Sequence, residues 1–149
     1  MDNYAYFQIS TKALVWKDGK ILTLTTPSGF MDFPGGRMDK HETDLQFREI
    51  LKREIIEELG ESIKVDIDDL AYVARREYTA GNEIKNVCLL YYEAKYISGE
   101  IHISDEHEIH EWLTPEELLG REDKFISKDD FAGLKNYLNT IQQIHAKHL

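Results

Sequence analysis

The chain has 149 residues, 42% of them hydrophobic, which suits one domain with a buried core. Asp and Glu number 28 against 18 Lys and Arg; the net charge of −10 opposes nonspecific binding to nucleic acid polymers or anionic membranes, and a phosphorylated ligand would need cations to approach. No apolar run is long enough to span a bilayer, Met1-Asp2-Asn3-Tyr4 lacks the start of a signal peptide, and the lone Cys88 has no internal disulfide partner, so a single domain over 1–149 in a reducing cytoplasm is expected.

In chain order, Lys12-Ala13-Leu14-Val15-Trp16 and Ile21-Leu22-Thr23-Leu24-Thr25 read as strands joined by an Asp18-Gly19 hairpin turn. Thr26-Pro27-Ser28-Gly29 is a loop, and Met31 and Phe33 alternate like a strand before the turn Pro34-Gly35-Gly36. Thr43 and Gln46 fit a capping box, which predicts a helix from Thr43 to a left-handed cap at Gly60, with Leu51, Ile55 and Leu59 on one buried stripe. Ile63 to Ile67 and Leu70 to Tyr78 look extended, Ala80-Gly81-Asn82 is a turn, and Ile84 to Tyr96 is a β-rich strand. Ile97 to Ile103 suggests a further strand, with Ser98-Gly99 as a turn or bulge, and Ser104 to Trp112 is densely polar. Thr114-Pro115-Glu116-Glu117 starts a short helix, and 128–146 a long one whose core stripe is Phe131, Leu134, Leu138 and Ile141. Strands interleaved with two long helices imply an α/β fold with a mixed sheet packed between helices.

The most informative residues close the first helix. Glu54, Glu57 and Glu58 stand three and four apart, so their carboxylates converge on one face. Like charges at that spacing cost about 0.2–0.5 kcal/mol per pair, and a helix C-terminus repels anions. A hard divalent cation compensates such a cluster, since magnesium is commonly held by one or two carboxylates plus substrate phosphates. The glycine turn just upstream allows backbone to approach a ligand closely, which makes the segment a candidate phosphate and metal site. A solvated acidic helix face is the plainer alternative.

The whole segment resembles the signature of the Nudix hydrolases: Gly36, five residues, Glu42, then Arg53-Glu54-Ile55-Ile56-Glu57-Glu58-Leu59-Gly60. One departure is visible, because ten residues rather than seven separate Glu42 from Arg53. Placed inside a helix, three extra residues would lengthen it by ~4.5 Å and rotate what precedes it by ~60°. The resemblance implies an α/β/α sandwich, hydrolysis of the diphosphate in a nucleoside diphosphate linked to another group, and often a homodimer. It implies that Glu54, Glu57 and Glu58, with the Gly35 carbonyl, bind magnesium or manganese. Arg53 would orient these glutamates, paired with Glu42 or Glu49, and Gly36 and Arg37 would face the substrate. Glu58 or Glu106 would be the general base; Glu106 matches by its distance from Trp112 a glutamate that the family often places ahead of a late strand, with Glu108 in reserve. Tyr78 stands where some dinucleoside polyphosphate hydrolases of the family carry a tyrosine. A noncatalytic, nucleotide-binding regulatory module is the alternative.

Outside the signature, His102, His107 and His110 match no zinc spacing. Cys88, in the apolar run Val87-Cys88-Leu89-Leu90, reads as a buried structural thiol, and Tyr72, Tyr91 and Tyr92 as packing residues.

Overall fold

The computed structural model describes residues 2–104 and 109–148, with side chains up to residue 142. Seven strands form one sheet: β1 (Gln8–Lys17), β2 (Lys20–Thr25), β3 (Met31–Asp32), β4 (Gly35–Arg37), β5 (Lys64–Ala80), β6 (Glu83–Ser98) and β7 (Ile109–Leu113). Its spine runs β3-β2-β1-β6-β5, with β4 against β1 and β7 against β2. Among the described strands only β1 and β6 pair in parallel, so the sheet is mixed, as expected. Asp18 and Gly19 both take positive φ, 51° and 76°, and close the β1–β2 hairpin as a two-residue turn.

Alternation along the strands divides the core into two layers. On one face Ala13, Val15, Leu22, Leu24, Tyr92 and Ala94 pack with Leu51, Ile55 and Leu59 of α1 (Phe47–Leu59). On the other, Leu14, Ile21, Leu89 and Tyr91 pack with Leu118 of α2 (Pro115–Leu119) and with Phe131, Leu134 and Leu138 of α3 (Lys128–His148). The sheet is therefore sandwiched between helices, the predicted α/β/α arrangement. Among the described residues no helix is long and apolar enough to cross a membrane.

Five expectations are corrected. The first helix starts at Phe47, not Thr43: a 3-10 turn over Lys40–Glu42 comes first, with the Asp39 N–H donating to Glu42 Oε1 at 2.9 Å, and Gln46 precedes the helix in extended conformation. The extra residues thus lie in the connecting turn, outside the helix. The stretch Ile97 to Ile103 is not an additional strand. Gly99, at φ 99°, packs so closely on Ser62 that a Cβ would lie 2.0 Å from its carbonyl oxygen; the chain then leaves the strand, and the His102 and Ser104 N–H groups donate to the Leu59 and Glu58 carbonyls at the end of α1. Gly60 has positive φ (98°), but its ψ of 162° is extended rather than left-handed helical. Ile63 to Ile67 and Leu70 to Tyr78 merge into the single strand β5, with register shifts near Ile67 and Leu70. Cys88 is half-buried rather than buried.

Candidate active site

The site lies where β4 and the C-terminal half of α1 meet. Gly35 pairs with Lys12 on β1 at φ 141°, a conformation an L side chain rarely adopts. A Cβ on Gly35 would lie 1.9 Å from the Thr11 carbonyl oxygen, and one on Gly36 would lie 2.4 Å from the Glu54 carboxyl carbon. The two glycines therefore let the strand lie directly on β1 and on a carboxylate of α1.

The glutamates of α1 do not share one environment. Glu58 is 5% exposed, and its Oε2 accepts the Gly35 N–H at 3.3 Å. Burial pushes its carboxyl up to about 8, against the pull of Lys12 and that N–H. Glu54 is also raised by burial, the Arg53 charge acting the other way. The Glu57 side chain is 58% exposed, and both of its oxygens accept Arg53 Nη1 at 3.0 Å. Arg53 ties the group together: Nε and Nη2 donate to the two Glu42 oxygens at 2.6 Å each, and Nη2 also donates to Glu54 Oε1 at 2.9 Å. The bidentate bond raises Arg53 and lowers Glu42. Glu42, not Glu49, is thus the partner of Arg53, and the turn over 43–46 absorbs the extra length.

A pocket of about 610 Å3 opens between these groups and the strands. Arg37 and Tyr78 stand at its mouth, the guanidinium 4.6 Å from the ring centroid and bonded to the Tyr78 hydroxyl, and both side chains donate to Gln8 Oε1. The other tyrosines weighed from the sequence are packing residues, as expected: Tyr72 stacks on buried Tyr91 at 4.4 Å, and Tyr92 is buried. Glu106 and its reserve Glu108 lie outside the described residues. Their flanks are anchored near the site, at Ser104 on the Glu58 carbonyl and at Ile109 on Thr25.

Three pocket residues escaped the sequence reading: Lys12, Asp32 and Arg76. Asp32 accepts Lys12 Nζ at 3.1 Å and two Arg76 nitrogens at 3.3 Å, while Arg76 Nε donates to Asp130 at 3.0 Å. A lysine inside the apolar run of β1 was the available signal, because a buried cation needs a partner. Burial would raise Asp32, but the Lys12 and Arg76 charges outweigh it and hold the carboxyl at about 2. A lowered folded-state pKa contributes stability that is fully present above the unfolded value near 4 and is lost as pH falls toward 2. The denaturant-derived stability gap between the parent protein and Asp32→Asn should therefore narrow by about 2 kcal/mol between pH 6 and pH 2. A constant gap would show that Asp32 is not held ionised by its cations.

The carboxylate set suits a hard divalent cation. Its donors are all oxygens, Glu58 is buried and Glu54 half-buried, and the space beside Glu54 would be filled by a single Cβ on Gly36. Among the described residues, no three histidine, cysteine, aspartate or glutamate side chains form a ready-made metal cage, in keeping with the hold of Arg53 on Glu57.

Known structures share this architecture. A MutT protein from Methanosarcina mazei Go1 superposes with a TM-score of 0.72 at 23% identity, covering 90% of this chain and 94% of its own. A MutT NUDIX hydrolase from Burkholderia pseudomallei gives 0.60 at 26% identity over 76% and 87%. An ADP-ribose pyrophosphatase from Streptococcus suis gives 0.64 at 17% over 89% and 90%. No curated protein matches the chain. The family model described as the NUDIX domain matches residues 7–132, most of the length and all of the site described above, and the chain thus belongs to the NUDIX family of pyrophosphohydrolases.

Proposed function

We propose that this pocket hydrolyses the diphosphate linkage of a nucleoside diphosphate joined to another group, with magnesium or manganese as cofactor. The substrate is a nucleoside triphosphate, a dinucleoside polyphosphate, a nucleotide sugar or ADP-ribose. The observation that carries the reading is the seating of Glu54 and Glu58 against the bare backbone of Gly36 and Gly35.

Glu54, Glu57 and Glu58, with the Gly35 carbonyl and Glu106, would hold the metal. When bound, the metal polarises phosphoryl oxygens and lowers the pKa of coordinated water. Glu58 is the better placed base, because its carboxylate is buried at the pocket floor and fixed by the Gly35 N–H; Glu106 is the other candidate. Arg53 orients rather than reacts, since its donors are engaged by Glu42, Glu54 and Glu57. Gly36 seats the Glu54 carboxylate against bare backbone and would face the substrate from there, and Arg37 and Tyr78 offer a cation and an aromatic ring at the mouth. A homodimer, common in the family, is the expected state, to be checked by light scattering.

A screen for nucleoside monophosphate release over the four substrate classes, with millimolar magnesium and an EDTA control, tests this reading. Metal-dependent cleavage of one class is expected. Silence across all four from folded protein would overturn it, and calorimetric nucleotide binding without turnover would then identify a noncatalytic module.

A further inference from the structure

A diphosphate entering this pocket brings charge to two phosphorus centres. The α1 carboxylates and their cation serve one side of it; what answers the other is legible in the remaining cations. Four line the pocket: Lys12, Arg37, Arg53 and Arg76. Arg53 is committed to Glu42, Glu54 and Glu57. Arg76 is committed to Asp32, Asp130 and the Tyr91 hydroxyl. Arg37 lies at the mouth on Tyr78.

Lys12 differs from all three. It lies opposite Gly35 in the β1–β4 ladder, and its side chain is only 8% exposed although it borders the pocket. An ammonium has three N–H donors. Among the described residues two are used, by Asp32 Oδ2 at 3.1 Å and the Phe33 carbonyl at 3.2 Å. Lys12 is therefore an interior cation with an unused donor. Arg76 Nη1 also keeps one N–H free among the described residues, but it is Lys12 that lies opposite Gly35, beside the glycine turn that seats Glu54 and Glu58. Burying an ammonium is costly, and an ion pair that served packing alone would be replaceable by apolar side chains.

We propose that Lys12 is a substrate-binding residue whose third N–H donates to a nonbridging phosphate oxygen of the diphosphate. This rests on the hydrolase reading above. A purely structural Lys12 would tie the Phe33 carbonyl and Asp32 together and touch no ligand.

The two roles separate in the 15N spectrum of the lysine ammonium groups, with the Lys12 signal assigned by its loss in Lys12→Arg. Adding the nonhydrolysable α,β-methylene analogue of ADP with magnesium should shift that signal, whereas magnesium alone should not reproduce the shift. Lys12→Met should lower kcat/KM roughly 100-fold, as expected for loss of a hydrogen bond to a charged group. If Lys12→Met fails to fold, the ammonium signal of the parent protein decides. A signal that stays fixed while the backbone amides of Gly36 and Glu57 report analogue binding would overturn the proposal and leave the hydrolase reading standing. Absence of analogue binding together with absence of turnover would overturn both.

Discussion

Glu58→Gln should yield a protein that is more heat-stable than its parent when divalent cations are removed, yet nearly inactive when they are supplied. Glutamine fills the same volume and its amide oxygen still accepts the Gly35 N–H, so packing is kept. What disappears is a carboxylate that burial disfavours strongly enough to raise it to about 8. At pH 7 the buried group must take up a proton that a free glutamate, titrating near 4.5, would not hold. Glutamine avoids that cost, a gain of about 2 kcal/mol, roughly 4–8 °C in Tm for a chain of this size. Activity moves the other way: on the proposed role of Glu58 in holding the metal and serving as base, its loss should lower kcat roughly 10³-fold, a few kcal/mol of transition-state stabilisation. Thermal melts in EDTA and turnover in magnesium measure the two effects. Undiminished turnover would remove Glu58 from the reaction, and a lower Tm would mean that its charge is not strained.

Alanine at the two neighbouring glycines should separate fold from function. At Gly35, φ is 141° and the new Cβ meets the Thr11 carbonyl oxygen at 1.9 Å, so rigid backbone would have to move. Gly35→Ala should cost about 4 kcal/mol or more and recover little folded protein. At Gly36 the collision is with the Glu54 carboxyl group, the free end of a flexible side chain, and φ lies outside the strained region. Gly36→Ala should fold, with stability within about 1 kcal/mol of the parent, but with Glu54 displaced and kcat/KM down roughly 100-fold, the usual penalty for a misplacement of about 1 Å. Circular dichroism melts and initial rates on the pair settle it; equal damage at both positions would contradict the assigned geometry.

Much of this was legible in the sequence because the signals were local. Asp18-Gly19 specifies a turn by its own backbone preferences, Thr114-Pro115 starts α2 by its own capping, and the spacing from Arg53 to Gly60 fixes which glutamates share a helix. Reading failed where distant residues decide. Thr43 and Gln46 form as good a cap as Asp39 and Glu42, but the 2.6 Å bonds from Arg53 favour the 3-10 turn that places Glu42 beneath the guanidinium. The strand expected at Ile97 to Ile103 gives way because Ser62 crowds Gly99 and the end of α1 has unpaired carbonyls to satisfy. Periodicity identified the three glutamates but not their unequal burial, which depends on where β4 crosses α1. Lys12, Asp32 and Arg76 lie on three separate strands, and no short-range pattern links them.

The turn over 43–46 also bears on how such chains are recognised. Glu42 reaches Arg53 by the path of the fold, whatever the number of residues counted between them, and residues 43–45 in that turn are mostly exposed, with Glu42 itself buried. A pattern that insists on a fixed interval there would pass over this sequence, whereas one that asks for a carboxylate within reach of the arginine would find it. The same turn is accordingly a natural place to graft a short peptide or a reporter dye beside α1 without shifting the glutamates that helix presents.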